Sequence, residues 1–308
     1  MIRKLTGLVL VLALVLPGCA RGTSSGRPHI AVVLKALDSE FWLAVKRGAE
    51  SAAAGKADLG IVAPEREINI DQQVSMIEDQ VSRGAAALVV APAAAAQVAP
   101  ALDKAAARGI PVIIMDTDIH WPKMVTYVGT DNVKGGELAG EYLAKAMPNG
   151  GEVALITGVP SDETHELRKR GFLEGIKKSP NLRLVAEQPA NSERALGLTV
   201  MENILTSQPN LGGVFITNDQ MALGALEAVE SRHTNKPVKL VSFDAGSEVL
   251  KMISEGKVDA VVAQHPFEMG KRSVEAALAA IAKQKVEPRI DTGTELVTRD
   301  NVAAFRAE

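Results

Sequence analysis

From His29 onward, short apolar runs alternate with amphipathic segments, and this rhythm restricts the fold more than any other feature of the chain. The apolar runs cover residues 30–34, 59–62, 87–90, 112–115 and 125–128, and helical spacing fills 40–54, 71–83 and 98–108 between them. Runs that are apolar at every residue belong to strands buried on both faces, so the sequence predicts a parallel sheet covered by helices on two sides. The punctuation agrees: Ser39 is placed to cap the first helix, Gly84 and Gly109 to stop the other two, and Pro111 opens the next strand. After five strands the rhythm restarts, with a helix over 132–146, the turn Pro148-Asn149-Gly150-Gly151, and strands at 153–156, 182–186, 214–216, 240–243 and 260–263. At 308 residues the chain is long for one core, so the expected architecture is α/β, in two doubly wound, Rossmann-like lobes with parallel sheets.

The first residues follow another logic. Arg3 and Lys4 precede an apolar run over 5–16, within the range of a signal-peptide core and too short to span a bilayer. Leu16-Pro17-Gly18-Cys19-Ala20 then resembles the bacterial lipobox, in which a small residue precedes a cysteine that is diacylated and becomes the new N-terminus. The expectation is a lipoprotein signal peptide over 1–18, lipidation at Cys19, and a Gly/Ser-rich tether completing 19–28, which places the mature protein outside the cytoplasm on a lipid anchor. Cys19 is the only cysteine, so no internal disulfide can form. A formal net charge of −3, with no basic run or arm, gives no electrostatic case for nucleic acid.

In open α/β sheets ligands bind beyond the carboxyl ends of strands, so the polar residues following each apolar run are the candidates for a site. After the first run come Lys35 and then Asp38-Ser39-Glu40-Phe41-Trp42; after the fourth, Asp116-Thr117-Asp118; after the fifth, Asp131-Asn132. The second half contributes Asn218-Asp219, Asp244 and Gln264. Carboxylates and amides in this number suit a neutral polyol, whose hydroxyls each donate and accept, while an aromatic ring suits its C–H faces. With aromatic residues at 3% of the chain, the adjacent Phe41 and Trp42 stand out. An aspartate at a strand end often does no more than cap the next helix, so the set carries the argument rather than any one member. Gly135, Gly136 and Gly140 lack a following Gly-Lys-Ser/Thr and read as close helix packing, not a phosphate loop.

At these positions the chain resembles the ribose/allose-binding branch of the periplasmic sugar-binding proteins of ABC importers, over essentially the whole mature sequence. The resemblance rests on Val32-Val33-Leu34-Lys35-Ala36-Leu37 with Phe41-Trp42, Gly109-Ile110-Pro111-Val112 leading to Asp116, and Asp131-Asn132-Val133 with Gly135-Gly136. It continues through Arg168 with Gly171-Phe172, Gln188-Pro189-Ala190, Asn218-Asp219 with Met221-Ala222-Leu223-Gly224, Phe243-Asp244 and Gln264. It implies a type I periplasmic binding protein fold whose lobes are joined by a three-crossing hinge near Asp131, Gln264 and Gly293. The lobes would then comprise 29–130 plus 265–293 and 131–264 plus 294–308. The resemblance also implies that Asp116, Arg168, Asn218, Asp244 and Gln264 hydrogen-bond the ligand, that Phe41 and Trp42 stack on it, and that Lys35 reaches a hydroxyl. Ser39, Thr117 and Ser192 are secondary candidates. Arg168 enters through the resemblance alone, since by itself it reads as an exposed helix residue.

Two departures qualify the match. Thr117 stands where ribose-binding members carry an arginine, which removes a bidentate donor and argues against ribose itself. Asn191-Ser192 stands where many members place a second-lobe aromatic, so the stacking falls to the first lobe. The stretch Glu163-Thr164-His165-Glu166 is polar enough to contribute to the site but reads more readily as a surface loop, and His165 and His265 as surface residues.

The expected partners are a small sugar or polyol, a transporter permease and, through the lipid anchor, a membrane; the expected state is a monomer without cofactor or metal. A glycosidase built on Asp116 and Asp244 is the enzymatic rival, but no His-rich metal motif, Gly-x-Ser-x-Gly or thiol left free after lipidation supports it. A sugar-sensing repressor would need a DNA-binding helix pair where the leader stands. A signal-molecule or chemotaxis receptor of the same fold remains the nearer alternative.

Overall fold

A computed structural model describes residues 26–232 and 237–305. The first half runs β1 (His29–Val33), α1 (Glu40–Ala53), β2 (Asp58–Val62), α2 (Ile70–Ser82), β3 (Ala87–Val90), α3 (Ala95–Ala107), β4 (Val112–Met115) and β5 (Thr126–Gly129). The second runs α4 (Asn132–Ala146), β6 (Gly151–Thr157), α5 (Glu163–Ile176), β7 (Leu182–Pro189), α6 (Arg194–Ser207), β8 (Leu211–Ile216), α7 (Asp219–Ser231), β9 (Lys239–Phe243), α8 (Ser247–Ser254) and β10 (Ala260–Ala263). The chain closes with α9 (Pro266–Ile281), β11 (Arg289–Asp291) and β12 (Glu295–Thr298).

These strands form two six-stranded sheets, in the orders β11-β5-β4-β3-β1-β2 and β12-β10-β9-β8-β6-β7, which correspond term by term. Every pairing is parallel except β10 with β12. The sequence expectation of five strands per lobe is therefore one short in each. The three-residue β11 and four-residue β12 complete the sheets, and neither has the continuous apolar run that marks a strand buried on both faces. Each sheet has an apolar layer on either side: Val32, Val45 and Met269 against Ile77, Leu88 and Leu102 in one lobe, and Ile204, Leu226 and Val261 against Leu155, Phe172 and Phe215 in the other. The chain passes between the sheets after β5, again before α9, which packs on α1 and the first sheet, and finally between β11 and β12.

Helix pairs approach closely through glycines. An added Cβ at Gly136 of α4 would stand 2.0 Å from the Arg168 carbonyl oxygen, and one at Gly171 of α5 would stand 1.9 Å from that of Val133. Gly48 with Gly270 joins α1 to α9 in the same way, and Gly197 with Gly224 joins α6 to α7. The glycine cluster that opens α4 is thus a packing feature. Its consequence for function is that α5 lies tight against α4 and carries its first turns inward.

Candidate functional site

Strand order reverses beside β1 in one sheet and beside β6 in the other, and the loops at these switch points face each other across the gap between lobes. Between them lies a cavity whose wall includes Lys35, Ser39, Phe41, Trp42 and Asp116 from one lobe and Arg168, Asn218, Asp244 and Gln264 from the other. All eight principal candidates and Ser39 are therefore brought to one space. Thr117 and Ser192 are not on the wall. Thr117 sits behind it, donating to Asp116 Oδ2 at 3.2 Å and lying 3.0 Å from Thr164 Oγ1, and Ser192 Oγ is 3.3 Å from His165 Nε2.

Local structure fixes each side chain. Ser39 caps α1, its Oγ accepting from the Trp42 amide, and so sets where Phe41 and Trp42 leave the helix. Those rings meet edge to face, with centroids 4.9 Å apart. Asn218 caps α7 by accepting the Met221 amide at its Oδ1, which turns the side-chain NH₂ outward. Asp116 and Asp244 each follow the last residue of a strand, β4 and β9, and both hold left-handed backbone, at φ 64° and 70°. Tyr127 Oη, 2.9 Å from the Asp116 carbonyl, pins the first of these bends.

Arg168, expected from sequence alone to be exposed, is buried. The tight α4–α5 contact brings it inside, where Nε donates to Asn132 Oδ1 at 2.8 Å, one terminal nitrogen donates to the Thr217 carbonyl at 2.6 Å, and the guanidinium lies 3.7 Å from the Phe243 ring centroid. It approaches Asp244 at 3.7 Å, and Gln264 donates to the other Asp244 oxygen at 2.5 Å. The remaining Gln264 oxygen is buried without a partner.

The stretch 163–166 is not a surface loop. It begins α5, and Thr164 and His165 are buried because Asp162 caps the helix from inside the cleft, accepting the Thr164 amide at 2.9 Å. The other Asp162 oxygen takes the Lys35 ammonium at 2.6 Å, across the lobes, while Asp116 takes it at 2.8 Å from within its own lobe. Lys35 is thus held between two carboxylates rather than free to swing. Burial acts to lower its pKa, but those carboxylates outweigh it and raise it. Burial likewise acts to raise Asp162, and Lys35 reverses that and holds it below its ordinary value.

The wall also includes Glu67, Thr164, His165 and Asp219, of which only Asp219 was marked by its place after a strand, and Asp162 behind the wall holds Lys35. Glu67, half-buried, accepts from Trp42 Nε1 at 3.0 Å, and removal from water pushes it up to about 7. Asp219 is raised well above the carboxylate range by burial and then by the charge of Asp244, which burial itself raises against the pull of Arg168. Glu67 and Asp162 escaped notice because they lie five residues beyond β2 and β6, past the positions immediately after a strand. Glu67, Asp162 and His165 bring possible metal-ligand atoms within 4.8 Å of one another, but the Lys35 ammonium already supplies the positive charge there.

Residues 30–285 match the family described as periplasmic binding protein domain. The chain is 33% identical to the ribose import binding protein of Bacillus subtilis, over 96% of this chain and 99% of that protein. It is 30% identical to the D-allose-binding periplasmic protein of Escherichia coli, over 88% and 90% respectively. Among solved structures it resembles an ABC transporter periplasmic solute binding protein from Actinobacillus succinogenes with bound D-allose, with 31% identity, a TM-score of 0.83, and coverage of 91% of this chain and 100% of that one.

Proposed function

This chain belongs to the periplasmic binding protein domain family, and from that membership we propose that it captures a monosaccharide or polyol between its lobes and delivers it to an ABC importer. The observation that carries this reading is the interlobe cavity, lined from both lobes by side chains that donate and accept hydrogen bonds and by the Phe41–Trp42 pair. Asp116, Asn218, Asp244 and Gln264 address hydroxyls, Arg168 orients Asp244, and the aromatic pair takes an apolar face. Lys35 serves by fixing Asp116 and Asp162, and it also donates to Thr164 Oγ1 at 3.5 Å. Lobe boundaries at 29–130 plus 265–293 and 131–264 plus 294–308 go with this reading, as does a monomeric state.

Thermal melts across pentoses, hexoses and polyols test it. A ligand at about 100 times its dissociation constant adds about 2.7 kcal/mol of stability, which is readily measured. Unchanged melting with every member would overturn the proposal. The signal peptide 1–18, Cys19 and residues 20–25 of the tether lie outside the described residues. Lipidation of Cys19 is proposed from the sequence: labelled palmitate should enter the wild type and not Cys19→Ala, and equal labelling would refute it.

A further inference from the structure

The cavity is built for more positive charge than the protein supplies. Its wall and the groups bonded to it hold five carboxylates, Glu67, Asp116, Asp162, Asp219 and Asp244, against the cations of Lys35 and Arg168. His165 does not restore the balance. Thr217 Oγ1 donates to the Ile156 carbonyl at 3.2 Å, so at 2.8 Å it accepts from His165 Nδ1–H, and the imidazole is uncharged, with Nε2 as an acceptor. Burial agrees, lowering His165 to about 3.

The imbalance is concentrated at one end. Lys35 is occupied by Asp116 and Asp162, whereas Asp219 and Asp244 share their end with a single guanidinium, 3.7 Å from Asp244. The unpartnered carbonyl oxygen of Gln264, in a residue 4% exposed, lies on the same wall. Two carboxylates and an orphaned acceptor ask for a group that only donates. A hydroxyl brings one proton and two lone pairs, whereas an ammonium brings three protons, a positive charge and no lone pair.

Resting on the sugar- or polyol-receptor reading, we propose that the ligand carries a basic nitrogen, as an amino sugar, amino polyol or ring-nitrogen sugar, with its ammonium seated among Asp219, Asp244 and the Gln264 carbonyl oxygen. Burial raises both Asp219 and Asp244, Asp219 further through the charge of Asp244, and a cation seated between them would offset that cost.

Calorimetric titration of the mature protein with matched pairs tests this: glucose, galactose and allose against their 2-amino-2-deoxy forms, glucitol against glucamine, and 1-deoxyglucose against 1-deoxynojirimycin. At least one amine should bind about tenfold or more tightly than its neutral partner. N-acetylation, which removes the charge, should abolish that preference without any change to the protein. Asp219→Asn should abolish it too, read as the ratio of amine to neutral affinity in the same variant. If neutral members bind as tightly as every amine, or the preference survives acetylation or Asp219→Asn, the ammonium seat is wrong and the sugar-receptor reading stands. If neither half of any pair binds, both fail.

Discussion

Asp116 and Asp244 occupy equivalent places in the two lobes, each one residue past its strand with backbone in the left-handed region. Aspartate and asparagine tolerate that conformation better than most residues, so Asn at either position removes a charge without forcing the bend. Two other site residues make folding pH-dependent in opposite senses. His165 is held at about 3 against an ordinary 6.5, so below pH 6.5 the unfolded chain takes a proton that the native chain refuses, and stability falls as the pH drops. Glu67 is pushed up to about 7 from 4.5, so between those values the native chain keeps a proton that the unfolded chain has lost, and stability falls as the pH rises. Each effect has a ceiling of about 1.4 kcal/mol per pH unit. Thermal melts from about pH 5 to 7 should show His165→Asn losing less than wild type on the acid side and Glu67→Gln losing less on the neutral side. Curves for both variants running parallel to wild type would contradict the assignment.

Between elements, the glycine contacts decide where the site residues stand. Gly171 lies three residues after Arg168 on α5, and its missing Cβ lets that helix meet the α4 backbone. Gly171→Ala should cost about 1 to 3 kcal/mol through overpacking, despite alanine's better helix propensity, and should weaken ligand binding by displacing Arg168. A melting temperature and affinity equal to wild type would mean that α5 has room to spare. The legibility of the elements follows the same physics. Strands buried on both faces announce themselves as unbroken apolar runs, and the predicted β3 and β4 match the structure to the residue. Helix α3 begins three residues earlier than expected, because Pro100 inside an alanine-rich segment leaves no cap to mark its start. Arg168 gave no sign of burial because it stands among Glu166, Lys169 and Arg170, and only the packing of α5 on α4 turns it inward.

Across the whole molecule, the lobes meet through polar bonds that span the cleft. Besides Lys35 with Asp162, the Glu40 carboxylate accepts from the Ser247 amide at 2.6 Å, at the start of α8, and Arg66 pairs with Glu193 at 3.1 Å. These bonds join the lobes beside the cavity, and the proposed receptor role would require them to part and re-form in a hinge closure, for which periplasmic binding proteins are a standard example. Seven of the polar residues on the wall were legible as residues following strands. The partners that hold them, Asp162 above all, were not, because their pairing exists only once two separately folded lobes face each other. The central claim is that both lobes grip one ligand. Its most direct test is titration of the tightest-binding ligand from the thermal series into wild type, Asp116→Asn and Asp244→Asn. One site per chain and a loss of about tenfold or more in each variant are expected, since a hydrogen bond to a charged group contributes about 1.5 to 3 kcal/mol. Undiminished affinity in either variant would mean that only one lobe holds the ligand.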